Sequence, residues 1–204
     1  IAVGRLGRDG GNKEMILKFA REIAQTSKDG KTGKTDSLLI SYRGKLIFES
    51  YYRRGRINYP HYQMSITKSY TAMGVGRAIQ LGHLSMADLD KPVISFLKDL
   101  DRGSLVAGAD QITLHQAMHM SSGIRLTSGT VKLLRRTPEK LLGQGQIQAY
   151  LQHSDPIPPA PRQFKYQGSD PSLAMQVIAA VVPGSAEDFL RDELVARLGI
   201  RNYR

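Results

Sequence analysis

The stretch "QMSITKSYTAMGVGRAIQLG", residues 63–82, decides how the chain is read. Ser65 stands near its head, Lys68 follows, and Ile66, Ala72, Met73, Val75, Ala78 and Ile79 supply small or apolar side chains. On a helix drawn over 65–81 these go nearly all round, which predicts a buried helix rather than a surface one. Gly82 is a natural stop. Ser65 then has two readings. As an N-cap it accepts a hydrogen bond from a backbone N–H of the first turn. As a nucleophile it needs a base, and Lys68 lies one turn on, at i+3 on the same face. A hydroxyl is a poor nucleophile until something takes its proton, and a lysine takes it only when neutral. Burial and the positive end of the helix dipole both disfavour the ammonium. The stretch offers apolar surroundings and a first-turn position, so Ser-x-x-Lys at the head of a buried helix is a sound nucleophile–base pair.

The whole chain narrows the classes. Its 204 residues make one domain of generous size or one and a half ordinary ones. A 41% hydrophobic share is enough for a packed core and too much for a disordered chain. The absence of cysteine excludes disulfides, thiolate catalysis and cysteine-built zinc sites. A net charge of +11 suits an anionic partner. The cations are scattered, however, with Arg53, Arg54 and Arg56 in one place and Arg135 and Arg136 in another. No Lys/Arg block with interleaved aromatics occurs, so nucleic acid is not an expected partner. No apolar run approaches membrane-spanning length. "IAVGRLGRDGGNKEM" at the start has too short an apolar stretch for a signal peptide.

Along the chain, residues 12–25 read as an amphipathic helix capped by Asn12, with Ile16, Phe19, Ala20 and Ile23 on one face. A polar, Gly-rich loop follows at 27–36. "LLISY-RG-KLIFESYY" reads as two strands around a tight turn at Arg43-Gly44, the second strand alternating less cleanly. A helix followed by a hairpin suggests a sheet with a helix laid on one face. Beyond the opening helix, Ser85 with Asp88 and Thr113 with Gln116 have capping-box spacing. Thr137-Pro138 starts a helix with proline at its first position. The four prolines in "SDPIPPAPRQ", residues 154–163, make a rigid connector. Asp170-Pro171 opens a helix whose apolar face is Leu173, Ala174, Val177, Ile178 and Val181, and Pro183-Gly184 stops it. Ser185 and Asp188 cap a last helix ending near Leu198-Gly199. There is no internal repeat. The order gives an α+β chain with a helical insertion.

Two patterns look chemical and fail on inspection. "HQAMH" sets His115 and His119 on one helical face at zinc-protease spacing. That chemistry needs a carboxylate between them, and Gln116 cannot accept a proton. One histidine packing and the other solvated is the expectation. "DGKTGKT", residues 29–35, suggests a phosphate loop, but position 28, where the pattern requires glycine, holds Lys28. No G-x-S-x-G elbow is present.

Tyr166, in "FKYQGSDPSLAMQVI", comes just before a helix and after the rigid approach. A phenol held near Lys68 can share its proton and relay it to a leaving group. With this stretch in hand, the chain resembles the serine hydrolase superfamily of class C β-lactamases, D-Ala-D-Ala carboxypeptidases, family VIII esterases and 6-aminohexanoate-dimer hydrolases. "LLISYRGKLIFESYY" resembles the N-terminal hairpin of that superfamily. "MSITKSYTAMGVGRAIQLGHLSMADLDKPVISFL" resembles its nucleophile helix, "ITLHQAMHMSSGI" its run ending in T-S-G, and "FKYQGSDPSLAMQVI" its tyrosine motif. The stretches come in the expected order and cover most of residues 38–200.

The resemblance implies a β-lactamase/transpeptidase-like α+β fold, with an antiparallel sheet flanked by helices and a helical subdomain. It divides the chain into 1–64 (helix and hairpin), 65–165 (nucleophile helix and helical subdomain) and 166–204 (tyrosine motif and following helices). It makes Ser65 the acylated nucleophile and its N–H half of an oxyanion hole. Lys68 becomes base or proton shuttle, and Tyr166 the second base. The implied substrate is a small ester, amide or peptide; no cofactor or metal is implied. A bacterial periplasmic or secreted place suits it better than the cytoplasm. The chain departs from the family in two ways. Where the motif is often Y-x-N, it has Tyr166-Gln167-Gly168, leaving Gln167 or Ser169 to hold a substrate amide beside the bare Gly168. This favours an esterase or unusual amidase over an efficient β-lactamase. The K-T-G or H-T-G motif, expected after the tyrosine, is absent there; Lys31-Thr32-Gly33 lies before the nucleophile. The expectation is therefore the N-terminal half to two-thirds of a larger fold, completed by a second chain or fragment. The alternative is a non-catalytic, penicillin-binding-like sensor domain on the same fold.

Overall fold

The computed structural model describes residues 1–28, 34–201 and 203. The Lys31-Thr32-Gly33 tripeptide lies outside them. The chain divides into two compact units, Ile1–Tyr62 and Gln63–Arg201. Ser65 and Tyr166 fall in the same unit.

The first unit holds β1 (Ala2–Val3), α1 (Lys13–Lys28), β2 (Ser37–Tyr42) and β3 (Lys45–Tyr51). Asn12 caps α1 as expected: its Oδ1 accepts the Met15 N–H at 2.9 Å. Ala20 and Ile23 are buried, whereas Phe19 is exposed. The hairpin turn is Arg43-Gly44, both with positive φ (48° and 76°), the mirror-image turn whose twist matches paired strands. The pairing of β2 and β3 is antiparallel, with a bulge where Ile40 opposes Phe48 and Ser41 opposes Leu46. Ile47 is the extra residue, and it is buried. That one-residue slip explains the imperfect alternation of the second strand. β1 adds to β3 in parallel, Ala2 opposite Lys45, giving the order β1-β3-β2. The sheet is thus mixed rather than purely antiparallel. A two-residue strand has no periodicity for a sequence reading to detect.

The second unit is helical: α2 (Thr67–Gln80), α3 (Leu114–Met118), α4 (Ser128–Leu134), α5 (Gln144–His153), α6 (Ser169–Val181) and α7 (Ala186–Leu190), joined by short 3₁₀ turns. α6 is the central element and packs on α2, α3 and α5. Its Leu173, Ala174, Val177 and Ile178 are buried, joined in one core by Val75, Leu97, Ile112, Ile147 and Leu151. Both capping boxes form. Ser85 N–H and Oγ donate to the Asp88 carboxylate, and Thr113 and Gln116 exchange side-chain and backbone bonds. Pro138 opens a 3₁₀ turn, Pro138–Leu141. The last helix runs from Ala186 into a wider π segment, Arg191–Val195. The helix over 65–81 differs from expectation. It buries one stripe, Thr71, Gly74, Val75 and Ala78, while Ile66 and Met73 are exposed. Among the described residues no single helix is long and apolar enough to cross a membrane.

Ile178 is fully buried and Met73 is 42% exposed. Truncating Ile178 to alanine should lower unfolding stability by about 3 kcal/mol, and Met73→Ala by less than about 1 kcal/mol. Urea unfolding of both variants checks the placement; equal losses would contradict it.

Candidate active site

Ser65 does not cap α2. It sits in a 3₁₀ turn, Met64–Ile66, that runs directly into the helix. Met64, immediately before it, has φ 46°, a left-handed conformation that costs a non-glycine residue about 1 kcal/mol. The Met64 carbonyl accepts the Thr67 hydroxyl at 2.6 Å, which fixes the turn. Ser65 therefore stands in the turn before the helix instead of in its first turn. Nothing in a methionine signals this, and sequence reading missed it.

The side chains nevertheless converge. Lys68 Nζ donates to Ser65 Oγ at 3.1 Å, and Tyr166 Oη is hydrogen-bonded to the same oxygen. Lys68 Nζ also lies 4.9 Å from the centroid of the Tyr166 ring. The Tyr166 phenol is held below its ordinary pKa, first by the hydrogen bond with Ser65 and then by Lys68. A neutral phenol donates to Ser65; a phenolate accepts from it. The burial expected around the pair is absent. Ser65 and Tyr166 are exposed and Lys68 is half-buried.

Tyr166 is held by its neighbours. The Lys165 N–H donates to the Met120 carbonyl at 2.9 Å. On the other side, the Gln167 carboxamide donates to Asp170 Oδ1 at 2.7 Å and to Ser122 Oγ at 3.4 Å. Asp170, in the first turn of α6, is fully buried. Its carboxylate also accepts the Ser122 N–H at 3.1 Å, the Ser122 hydroxyl at 2.7 Å and the Ser169 hydroxyl at 3.0 Å. A buried charge is tolerable only with such partners. Asp170 thus ties the "HMSSG" loop to the tyrosine motif. Sequence reading took Asp170 for a helix start and missed this role; the signal is a lone acid entering an otherwise apolar helix. Gln116 has a structural task as well, accepting Arg162 Nη1 at 2.5 Å.

The three residues expected to hold substrate divide. Gln167 and Ser169 spend their polar groups on Asp170, while Gly168 is exposed. All three line a cavity of about 560 Å³. His115 and His119 are both exposed and lie ring to ring at 4.1 Å, so neither packs inside. No cluster of metal-ligating side chains occurs among the described residues.

The fold is β-lactamase/transpeptidase-like. The family model for beta-lactamase matches residues 21–204, and the chain belongs to that family, within a superfamily of serine hydrolases. No curated protein matches the sequence. Among solved structures, the octameric penicillin-binding protein homologue from Pyrococcus abyssi is similar at 20% identity and TM-score 0.61, over 93% of this chain and 43% of that one. A penicillin-binding protein homologue from Caulobacter crescentus has 16% identity and TM-score 0.60, over 97% and 50%. A D-stereospecific amidohydrolase from a Streptomyces species has 20% identity and TM-score 0.51, over 66% and 41%. The chain therefore spans half or less of the length of these structures.

Replacing Asp170 by alanine leaves its donors unpaired in the core and should lower stability by about 3 kcal/mol. The exposed Tyr166→Phe should change it by less than about 0.5 kcal/mol. Denaturant unfolding distinguishes the two; a neutral Asp170→Ala would remove the anchor.

Proposed function

We propose that the chain carries the acylation centre of a serine acyl hydrolase acting on an ester or amide. One observation carries this reading: Ser65 Oγ is contacted by both Lys68 Nζ, at 3.1 Å, and Tyr166 Oη. Tyr166, as phenolate, takes the Ser65 proton while Oγ attacks the substrate carbonyl carbon. The Lys68 ammonium stabilises that phenolate. The carbonyl oxygen takes up negative charge, towards which the Ser65 N–H is directed in this reading. Collapse breaks the ester or amide bond, and Tyr166 returns the proton to the leaving oxygen or nitrogen. Water then attacks the acyl carbon, passes a proton through Tyr166 to Ser65 Oγ, and frees the acid. Gly168 offers no hydrogen bond to a substrate amide, which favours esters or unusual amides over β-lactams. The exposed Met64 and Ile66 on either side of the serine give a completing segment, in the same polypeptide or a second chain, an apolar surface to cover.

A second reading, binding without turnover, draws on the exposure of Ser65 and Tyr166, because electrostatic catalysis is strongest where water is excluded. A stable acyl adduct on Ser65 that releases no product would favour it.

A fluorophosphonate probe should label Ser65, with labelling abolished in Ser65→Ala; equal labelling of that variant would refute the assignment. The pH profile carries a sign. Phenolate is the active form, so kcat/KM for a neutral ester should fall as pH drops through the Tyr166 midpoint. That midpoint should lie below 10.0, and Tyr166→Phe should abolish the dependence.

A further inference from the structure

The cavity lined by Lys165 and Gln167, the two neighbours of Tyr166 in the chain, has a composition that selects a ligand. Leu126, Val131, Leu134 and Leu141 give it an apolar wall. Its lining includes two cations, Arg135 and Lys165, and no carboxylate among the described residues. Both cations belong to exposed residues, whereas Leu134 is buried and Leu126, Val131 and Leu141 are half-buried. At about 560 Å³ it is of small-molecule size. Tyr150 also lines it, its phenol pushed up by burial while Arg135 acts in the opposite direction. That places the guanidinium within electrostatic reach of the Tyr150 hydroxyl.

Gly168 is the second observation. Its φ and ψ, −87° and −20°, are open to any residue. A Cβ built there would meet nothing within 4 Å. Neither backbone conformation nor close packing requires glycine, so what glycine contributes at 168 is open space. That space lies on the cavity lining two residues after Tyr166, whose hydroxyl touches Ser65.

We propose that this cavity receives the acyl chain of the substrate, that it is shaped for an aliphatic chain ending in a carboxylate, that Gly168 opens it and that Arg135 binds the far end. The inference rests on the reading of Ser65 as the acylated nucleophile. The acyl part remains on Ser65 through both half-reactions and needs a fixed seat while water attacks, whereas the leaving group must diffuse away. A recessed apolar pocket suits the first and hinders the second. The carboxylate pairs with guanidinium in a charge-assisted bond.

The test compares p-nitrophenyl esters of acetate, hexanoate and adipate, the last with its second carboxylate free. Wild-type kcat/KM should be higher for adipate than for hexanoate, and Arg135→Gln should reduce that ratio about tenfold. Gly168→Leu should reduce the hexanoate-to-acetate ratio about tenfold. Loss of folded protein cancels in both ratios. Calorimetric binding of monomethyl adipate to the Ser65→Ala protein reads the pocket without turnover, and adding Arg135→Gln should weaken it about tenfold. Ratios unmoved by both variants would overturn the pocket and leave the nucleophile standing. Binding without hydrolysis of any ester would overturn the hydrolase reading and keep the pocket. Neither hydrolysis nor binding would overturn both.

Discussion

The buried carboxylate of Asp170 is the constraint on which the site depends. An unpaired charge in an apolar core is too costly to persist, so Asp170 must collect donors, and it collects them from Ser122, Ser169 and Gln167. Each bond has a geometric consequence. Ser122 belongs to the loop after α3, and Ser169 begins α6. Gln167 stands beside Tyr166, and the Lys165 backbone bonds to Met120 on the other side. A short irregular segment with little burial of its own is thereby fixed at both flanks, and the phenol between them meets Ser65 Oγ. Polar networks of this kind are strong only when every member is satisfied, which is why one residue in the first turn of a core helix governs an exposed side chain.

The serine side is held differently. Met64 adopts a left-handed conformation and the chain enters α2 through a 3₁₀ turn. Ser65 consequently stands free of capping duty, with its hydroxyl available to Lys68 and Tyr166. Strained backbone beside a candidate nucleophile is a familiar association. Here it removes one of the two roles the sequence left open, the cap. The charge logic shifts with it. Lys68 is half-buried and lies over the Tyr166 ring. In the proposed mechanism it therefore lowers the phenol's pKa, and Tyr166 takes the serine proton.

Much of this was legible in the residues. The Arg43-Gly44 turn, the Asn12 cap, the capping boxes at Ser85 and Thr113 and the apolar face of α6 are local signals, each set by chemistry within a few positions. The convergence of Ser65, Lys68 and Tyr166 was also anticipated, from motif order and resemblance. What escaped was non-local. β1 exists only because β3 offers it an edge, and two residues carry no period. The Asp170 network joins positions 48 apart in sequence. Exposure of Phe19, Ile66 and Met73 contradicts their apolar character because burial depends on what lies opposite, which periodicity does not report. Gln167 and Ser169 sit on the expected segment yet turn their polar groups to the core, a distinction of side-chain direction that spacing cannot make.

In the proposed mechanism the Tyr166 phenol is activated by its contacts with Ser65 and Lys68. NMR titration of protein labelled with ¹³C at tyrosine Cζ, in wild type and in Lys68→Met, reads that activation at the phenol itself. The Tyr166 resonance, assigned through Tyr166→Phe, should titrate below the ordinary tyrosine value of 10.0 and move upward when Lys68 is lost. A Tyr166 that titrates at 10.0 or above, with the same midpoint in both proteins, would contradict it.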